Sequence, residues 1–270
     1  MNHCFEDYQS IHKGKRAWII GSGPSLNQTN LDLIKNELSF GMNCVSLLYN
    51  TTFWRPTYFV FCSTYANSAK RGKRYVKSIR ETIELNETTS FIWDVFKPAI
   101  IQPGALTKNP CWFESMTEYG PDNDKSFSTD ASIYLDKSGT TMNVAFQIAY
   151  FMGFQEIILL GADLGWKSTT TETRKDLNHF VSSYITDIKN GEWENAHTRR
   201  THQLVKRHLD KLGVKVYNAS KKTLLDVYPL VNYEDVLNGK ININVRQDEW
   251  KEIAEYWKTN NYQGIKEELR

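Results

Sequence analysis

The chain has no apolar stretch approaching the roughly 20 residues that cross a bilayer. Its opening, MNHCFEDYQS, lacks the apolar centre of a signal peptide. Both absences lead to the expectation of a cytoplasmic protein. Cysteine is scarce: the four present, Cys4, Cys44, Cys62 and Cys111, show no metal-ligand spacing, so all are expected as reduced thiols. A charge excess is missing as well. The 33 Lys and Arg against 31 Asp and Glu exclude wholesale nucleic-acid binding and leave room only for a local basic patch. There is no internal repeat and no low-complexity tract.

What the chain has is length and alternation. Its 270 residues suit one large α/β domain or one domain with a small appendage, and are ample for a sizeable core. Short β-type runs recur at Ala17–Ile20, Phe40–Leu48, Thr57–Cys62, Ser90–Trp93, Glu156–Leu160 and Val214–Tyr217. Helical spacing lies between several of them. Val144, Ala145, Ile148, Ala149 and Met152 share one face over 140–152, and Thr201, Leu204, Val205, His208, Leu209 and Leu212 share one over 197–212. The run EIILLG lacks polar alternation, as a strand covered on both faces does. The expected fold is therefore α/β, an open and mostly parallel sheet flanked by helices.

Two segments resist assignment: 102–136, rich in Pro, Asn, Asp and Ser, and 164–195, polar and without period. Loops this long are functional lids or disordered. At the end, 247–270 is expected as an amphipathic helix with Trp250, Ile253 and Trp257 on one side, docked on the domain rather than lying on a membrane.

In open α/β sheets ligands bind beyond the carboxyl ends of the strands, and four such ends carry candidate groups. After the first strand, Gly21-Ser22-Gly23-Pro24-Ser25 precedes a helix-like stretch. Glycines let backbone approach a phosphate, and a helix start offers unpaired N–H groups. The motif is neither a Walker A loop nor the G-x-G-x-x-G fingerprint, because no Gly-Lys-Ser/Thr follows and Leu26 replaces the third glycine. A purely structural tight turn is the competing reading. Asn43 stands among apolar residues and needs partners, from a ligand or from the protein. Ser63 and Thr64 follow the third strand with a weaker claim. In KSGTTMNV, Ser138 or Thr140 is a candidate helix cap and Gly139 allows close approach. Asp163, at the end of EIILLGAD, either orients a ligand hydroxyl or metal or caps a turn.

Among the six histidines, His3 and His12 lie in an N-terminal extension, His208 falls on an apolar stripe and His202 on another, exposed face, which leaves His179 and His197. If His197 opens its helix, the positive end of the helix disfavours imidazolium and keeps a neutral base available. Arg199 and Arg200 beside it offer forks for phosphate or carboxylate.

IIGSGPSL, FGMNCV, SGTTMNVAFQIAYFMGFQEIILLGADLGW and VKVYNAS, in this order, resemble the 6-hydroxymethylpterin diphosphokinase-like domain superfamily. That superfamily is related to motility-associated-factor glycosyltransferases and to bacterial lipooligosaccharide sialyltransferases that use CMP-sialic acid. The resemblance covers about 15–237. It implies a Rossmann-like fold (a GT-A-like variant), with 1–246 as catalytic domain, 164–195 as a lid and 247–270 as the C-terminal helix.

It also implies a nucleotide site: Ser22 where relatives carry Asn, Asn43 and Ser63 at nucleotide-contacting positions, and Thr140 with Thr141 in place of a Thr-Ser pair. Gly21, Gly23, Ser138, Gly139 and Asp163 complete the expected cradle. His197, with one residue of gap, takes the general base's place. The two tyrosines that help the phosphate depart are absent here, near Gly165, and Arg174, Arg199 or Arg200 are expected to substitute.

The activity so implied is transfer of a nonulosonic acid such as sialic acid from a CMP donor to a glycan or glycolipid hydroxyl. Beyond the nucleotide-sugar donor it implies no cofactor and no metal. It allows peripheral contact with the inner face of a membrane and a homo-oligomer. The alternative is a Mg-ATP-dependent diphosphokinase acting on a pterin-like alcohol, which needs a carboxylate cluster near the phosphates.

Overall fold

The computed structural model describes residues 3–63, 72–116, 125–137, 139–168, 176–182, 184, 188 and 190–259. Its strands are β1 (Arg16–Ile20), β2 (Ser39–Met42), β3 (Tyr58–Phe61), β4 (Thr89–Trp93), β5 (Cys111–Phe113), β6 (Ser115–Met116), β7 (Leu135–Asp136), β8 (Glu156–Leu160) and β9 (Lys215–Asn218). Seven of them form one sheet in the order 5-4-3-2-1-8-9, and β6 pairs with β7. Every ladder is parallel. The expected open α/β sheet is thus observed.

Burial explains the missing alternation of the central strands. Ala17, Ile19, Ile157 and Leu159 face one core, and Trp18, Ile20, Ile158 and Leu160 face the other. The first core is covered by α3 (Thr141–Phe151) and α4 (Gly191–Lys211), the second by α1 (Gly72–Ile83) and α2 (Lys97–Ile101), with α5 (Tyr233–Leu237) beside it. Each fully buried large apolar side chain contributes about 1.5–3 kcal/mol. The two cores therefore pin the strand register firmly.

Several expectations change. Cys4 and Cys111 are joined in a disulfide with Cα atoms 5.6 Å apart, tying the 3-10 turn His3–Tyr8 to β5; only Cys44 and Cys62 are free thiols, both buried. Strand β5 lies inside the supposed loop 102–136, too short at three residues to show a period. The run expected as one strand to Leu48 stops at Met42, where Asn43 turns the chain with φ +54°.

After β1 there is no α-helix. Two 3-10 turns, Pro24–Gln28 and Leu31–Ile34, follow instead, the second capped by the Asn30 side chain accepting from Asp32 N–H. Helix α4 begins six residues before His197, because Asn190 caps it by accepting from Trp193 N–H at 3.1 Å.

The last helix, α6 (Gln247–Thr259), docks on the domain; 260–270 of the expected helix lie outside the described residues. Ile253 and Trp257 are buried beside Leu230, and the Trp250 and Trp257 indoles each donate at 2.7 Å to the carbonyls of Asp226 and Leu224. Among the described residues no helix is long and apolar enough to cross a membrane.

Candidate functional site

Strand order reverses at β1, with β2 on one side and β8 on the other. The carboxyl ends of those strands open onto a cavity of about 500 Å³. This is the switch-point crevice where open α/β sheets bind ligands, and its size lies in the range of about 300–1,000 Å³ usual for small-molecule sites. Gly21, Ser22 and Gly23 line it after β1, Asn43 after β2, Ser63 after β3, Gly139 to Thr141 at the start of α3, and Asp163 after β8. His197 reaches it from α4. Chain segments far apart in sequence are brought together there. Ser138 and Arg174 lie outside the described residues, as do 169–175, 183, 185–187 and 189 of the expected lid.

The glycine turn is shaped by its neighbour strand. A Cβ on Gly21 would meet the carbonyl of Gly161, and one on Gly23 would overlap the Asp163 carboxylate. Ser25 donates to that carboxylate twice, from N–H at 2.7 Å and from Oγ at 2.5 Å. Burial pushes the Asp163 carboxyl up to about 6, against the downward pull of the two Ser25 bonds. Asp163 therefore braces the turn, and both its oxygens are engaged in doing so. Without a following α-helix, the turn has no helix dipole to offer an anion.

That role falls to α3. Thr140 caps it, accepting from Asn143 N–H at 3.2 Å. Gly139, at φ +78°, packs against Thr201 of α4 with no room for a Cβ. Thr141 Oγ1 donates to Asn43 Oδ1 at 3.1 Å, so two residues expected to bind ligand independently form one unit. Thr141 and Met142, at the start of α3, line the same crevice, and a helix start offers backbone N–H groups to an anion.

Placement separates the basic residues. Arg199 and Arg200 do not line the cavity. Arg199 forks onto Asp226 at 2.7 and 2.6 Å and lies over the Trp257 ring, which corrects its expected service to a phosphate. Among the described lining residues the one Lys or Arg is Lys137, whose ammonium lies 4.3 Å over the Trp93 ring and within electrostatic reach of Cys62. Lys137 is not among the residues expected from the sequence, although it stands three residues before the Thr140 cap of α3.

His197 lies in the second turn of α4, stacked on Trp193 with centroids 4.8 Å apart. The expected helix-terminus effect on it is withdrawn, because the orphan N–H groups lie further back. His202, expected to be exposed, is buried with Nδ1 at 3.1 Å from the Tyr228 hydroxyl, and burial lowers its pKa to about 4. His208, expected in the core, is half-buried and stacks on Phe127.

The described part of 164–195 packs onto the glycine turn. Phe180 N–H donates to the Ser22 carbonyl at 3.0 Å. Buried Tyr184 hydrogen-bonds the Ser22 hydroxyl, and its hydroxyl accepts from Cys44 N–H at 3.4 Å. Asn178 and Asn195 tie this segment to 166–167 through paired side-chain bonds. Among the described residues no three His, Cys, Asp or Glu side chains stand together as a metal-holding group.

A Rossmann-like α/β chain with a ligand-sized crevice at its switch point is the class that this fold and site define. The chain is similar to a solved structure of a MAf glycosyltransferase from Magnetospirillum magneticum AMB-1, at 16% identity and a TM-score of 0.53. The match covers 92% of this chain and 38% of that one, so the chain spans well under half the length of its structural neighbour. At this identity the likeness establishes the fold. No family model matches, and no curated protein matches significantly. The resemblance to the diphosphokinase-like superfamily thus rests on the sequence motifs.

Proposed function

We propose that the chain is a glycosyltransferase that takes a nucleotide-sugar donor, with CMP-linked nonulosonic acids such as sialic acid as the donor class and a glycan or glycolipid hydroxyl as acceptor. The observation that carries this reading is the convergence of the Gly21–Gly23 turn, Asn43–Thr141 and the capped start of α3 on one switch-point cavity that also holds His197. The neighbouring glycosyltransferase structure supports it at the level of fold.

In this reading the donor phosphate lies against the first turn of α3, where the N–H groups of Thr141 and Met142 and the ammonium of Lys137 meet its charge. Asn43, Ser63 and Ser22 lie around the nucleoside. An imidazole nitrogen of His197 takes the acceptor proton while the acceptor oxygen attacks the anomeric carbon. Helix dipole and Lys137 supply the counter-charge, so the reading calls on no metal.

A thermal-shift panel tests it. CMP should raise the melting temperature in EDTA, and UDP, GDP and ATP should do so less; at 100 times Kd the gain is about 2.7 kcal/mol. Stabilisation only by ATP with Mg²⁺ would overturn the reading in favour of a diphosphokinase.

A further inference from the structure

His179 is a cavity histidine whose ring is held from behind by a carboxylate. Its Nδ1 lies 3.0 Å from Asp176 Oδ1, and both side chains are almost wholly buried, at 4% and 0% exposure. The ring stacks on Tyr184 with centroids 3.8 Å apart and planes within 3°, and Trp166 closes its edge at 5.2 Å. Asp176 Oδ1 also accepts from Asn178 N–H at 2.8 Å, which fixes the carboxylate. The imidazole is thereby locked in rotamer and tautomer, with Nδ1–H directed at Asp176. Nε2 has no hydrogen-bond partner among the described residues, while the side chain lines the cavity. A carboxylate behind one ring nitrogen and an open site before the other is the arrangement of a proton-transfer histidine. Its position sets which proton it moves. The next residue, Phe180, is bonded to the Ser22 carbonyl, and the stacked Tyr184 reaches the Ser22 hydroxyl. His179 thus sits on the glycine-turn side of the cavity, beside the nucleoside of the proposed reading, in the same cavity that Thr141, Met142 and Lys137 line.

We propose that His179, backed by Asp176, is a catalytic acid that protonates the departing nucleotide, in the place left open by the missing tyrosines near Gly165. This rests on the glycosyltransferase reading. The bond from the anomeric carbon to the phosphate oxygen breaks, and its electron pair stays on that oxygen. The oxygen takes the proton from Nε2–H of imidazolium His179, whose charge the Asp176 carboxylate balances. His179 ends neutral with Nδ1–H still on Asp176. The acceptor oxygen supplies the electrons of the new bond, and its proton passes to His197.

The probe is CMP-N-acetylneuraminate, followed by CMP release with lactose as acceptor. His179→Ala should lower kcat about 100-fold or more, in line with the 10²–10⁴-fold worth of acid–base catalysis. KM and the CMP-induced melting shift should stay within about threefold. Added imidazole should restore at least about tenfold of the lost turnover, which a packing role would not allow, and Asp176→Asn should lower kcat about tenfold. Turnover of His179→Ala within about threefold of wild type overturns the proposal. So does loss of turnover together with CMP binding and without imidazole rescue, which marks a packing role. A wild-type protein that no nucleotide stabilises overturns the glycosyltransferase reading instead, and the assignment of His179 with it.

Discussion

Asp163, at the end of β8, accepts two hydrogen bonds from Ser25, the residue that completes the glycine turn after β1. The two strands flanking the switch point are therefore tied at the mouth of the cavity by a single carboxylate. Gly23 has to be glycine because that carboxylate occupies the space of its Cβ. The turn's geometry follows from packing against the neighbouring strand, and its position beside the ligand space follows from topology.

The tie predicts a pH dependence. Burial raises the Asp163 carboxyl to about 6 from its ordinary 3.8. The native state then keeps a proton that the unfolded chain releases, so this site's contribution is full below about pH 4 and is lost as pH rises through 6. A shift of two units bounds the loss at about 3 kcal/mol. Urea titrations of wild type and Asp163→Asn at pH 4.5 and pH 7 should differ by about 1–3 kcal/mol in their relative stability, with wild type favoured at the lower pH. A difference independent of pH would remove this account of Asp163.

His202 should act in the opposite sense. Its folded pKa of about 4 lies below the ordinary 6.5 because the buried ring resists charging. Its contribution is full above pH 6.5 and is lost as pH falls toward 4. Relative to His202→Gln, wild type should lose about 1–3 kcal/mol between pH 7 and pH 4.5. The two slopes partly cancel in the wild-type protein, so each variant should show a steeper pH dependence than wild type, in opposite directions. Two variants with the same slope would mean that neither residue is the source.

The sheet was legible from sequence because strands buried on both faces leave unbroken apolar runs, as in EIILLG and AWII. The cavity was partly legible for a topological reason: its walls stand at strand ends, and Gly21–Gly23, Asn43, Ser63 and Thr140 could be placed there by eye. What escaped notice was decided by partners distant in sequence. Arg199 is claimed by Asp226 and Trp257, His202 by Tyr228, and Cys4 by Cys111. The start of α4 was hidden because its first turn carries a cap at Asn190 and two glutamates but little apolar period. His179 stands out in the sequence as a histidine, yet its contacts with Asp176 and Tyr184 come only from the folded segment.

Gly139 joins the two helices that shape the cavity. Its positive φ and the absence of space against Thr201 act together, and Thr201 Oγ1 in turn bonds the His197 carbonyl at 3.1 Å. Gly139→Ala should destabilise by about 2–4 kcal/mol, combining backbone strain with overpacking. Gly213 provides the control, since its φ is also positive, at +74°, but its Cβ direction is open. Gly213→Ala should cost only about 1 kcal/mol. Any nucleotide-induced melting shift should weaken in the first variant and persist in the second. Equal losses in both would mean that strain alone matters and that α3 and α4 are not coupled through this contact.

The Cys4–Cys111 bridge closes a separation of 107 residues and fastens the N-terminal turn, with buried Phe5, to β5. Strand β5 is an edge strand of three residues paired to β4 alone, so it has few hydrogen bonds of its own to hold it. Phe5 packs on Phe91, Phe113 and Phe151, and holding the turn in place keeps that aromatic cluster closed. Cys4→Ser should therefore lower stability by about 2–4 kcal/mol, and reductant should lower the wild-type melting temperature toward that of the variant. Protein purified without reductant and alkylated after unfolding should carry label on Cys44 and Cys62 only, and on all four cysteines once reduced. Full labelling before reduction would show that the two sulfurs meet without bonding. The edge strand would then be held by the aromatic cluster alone.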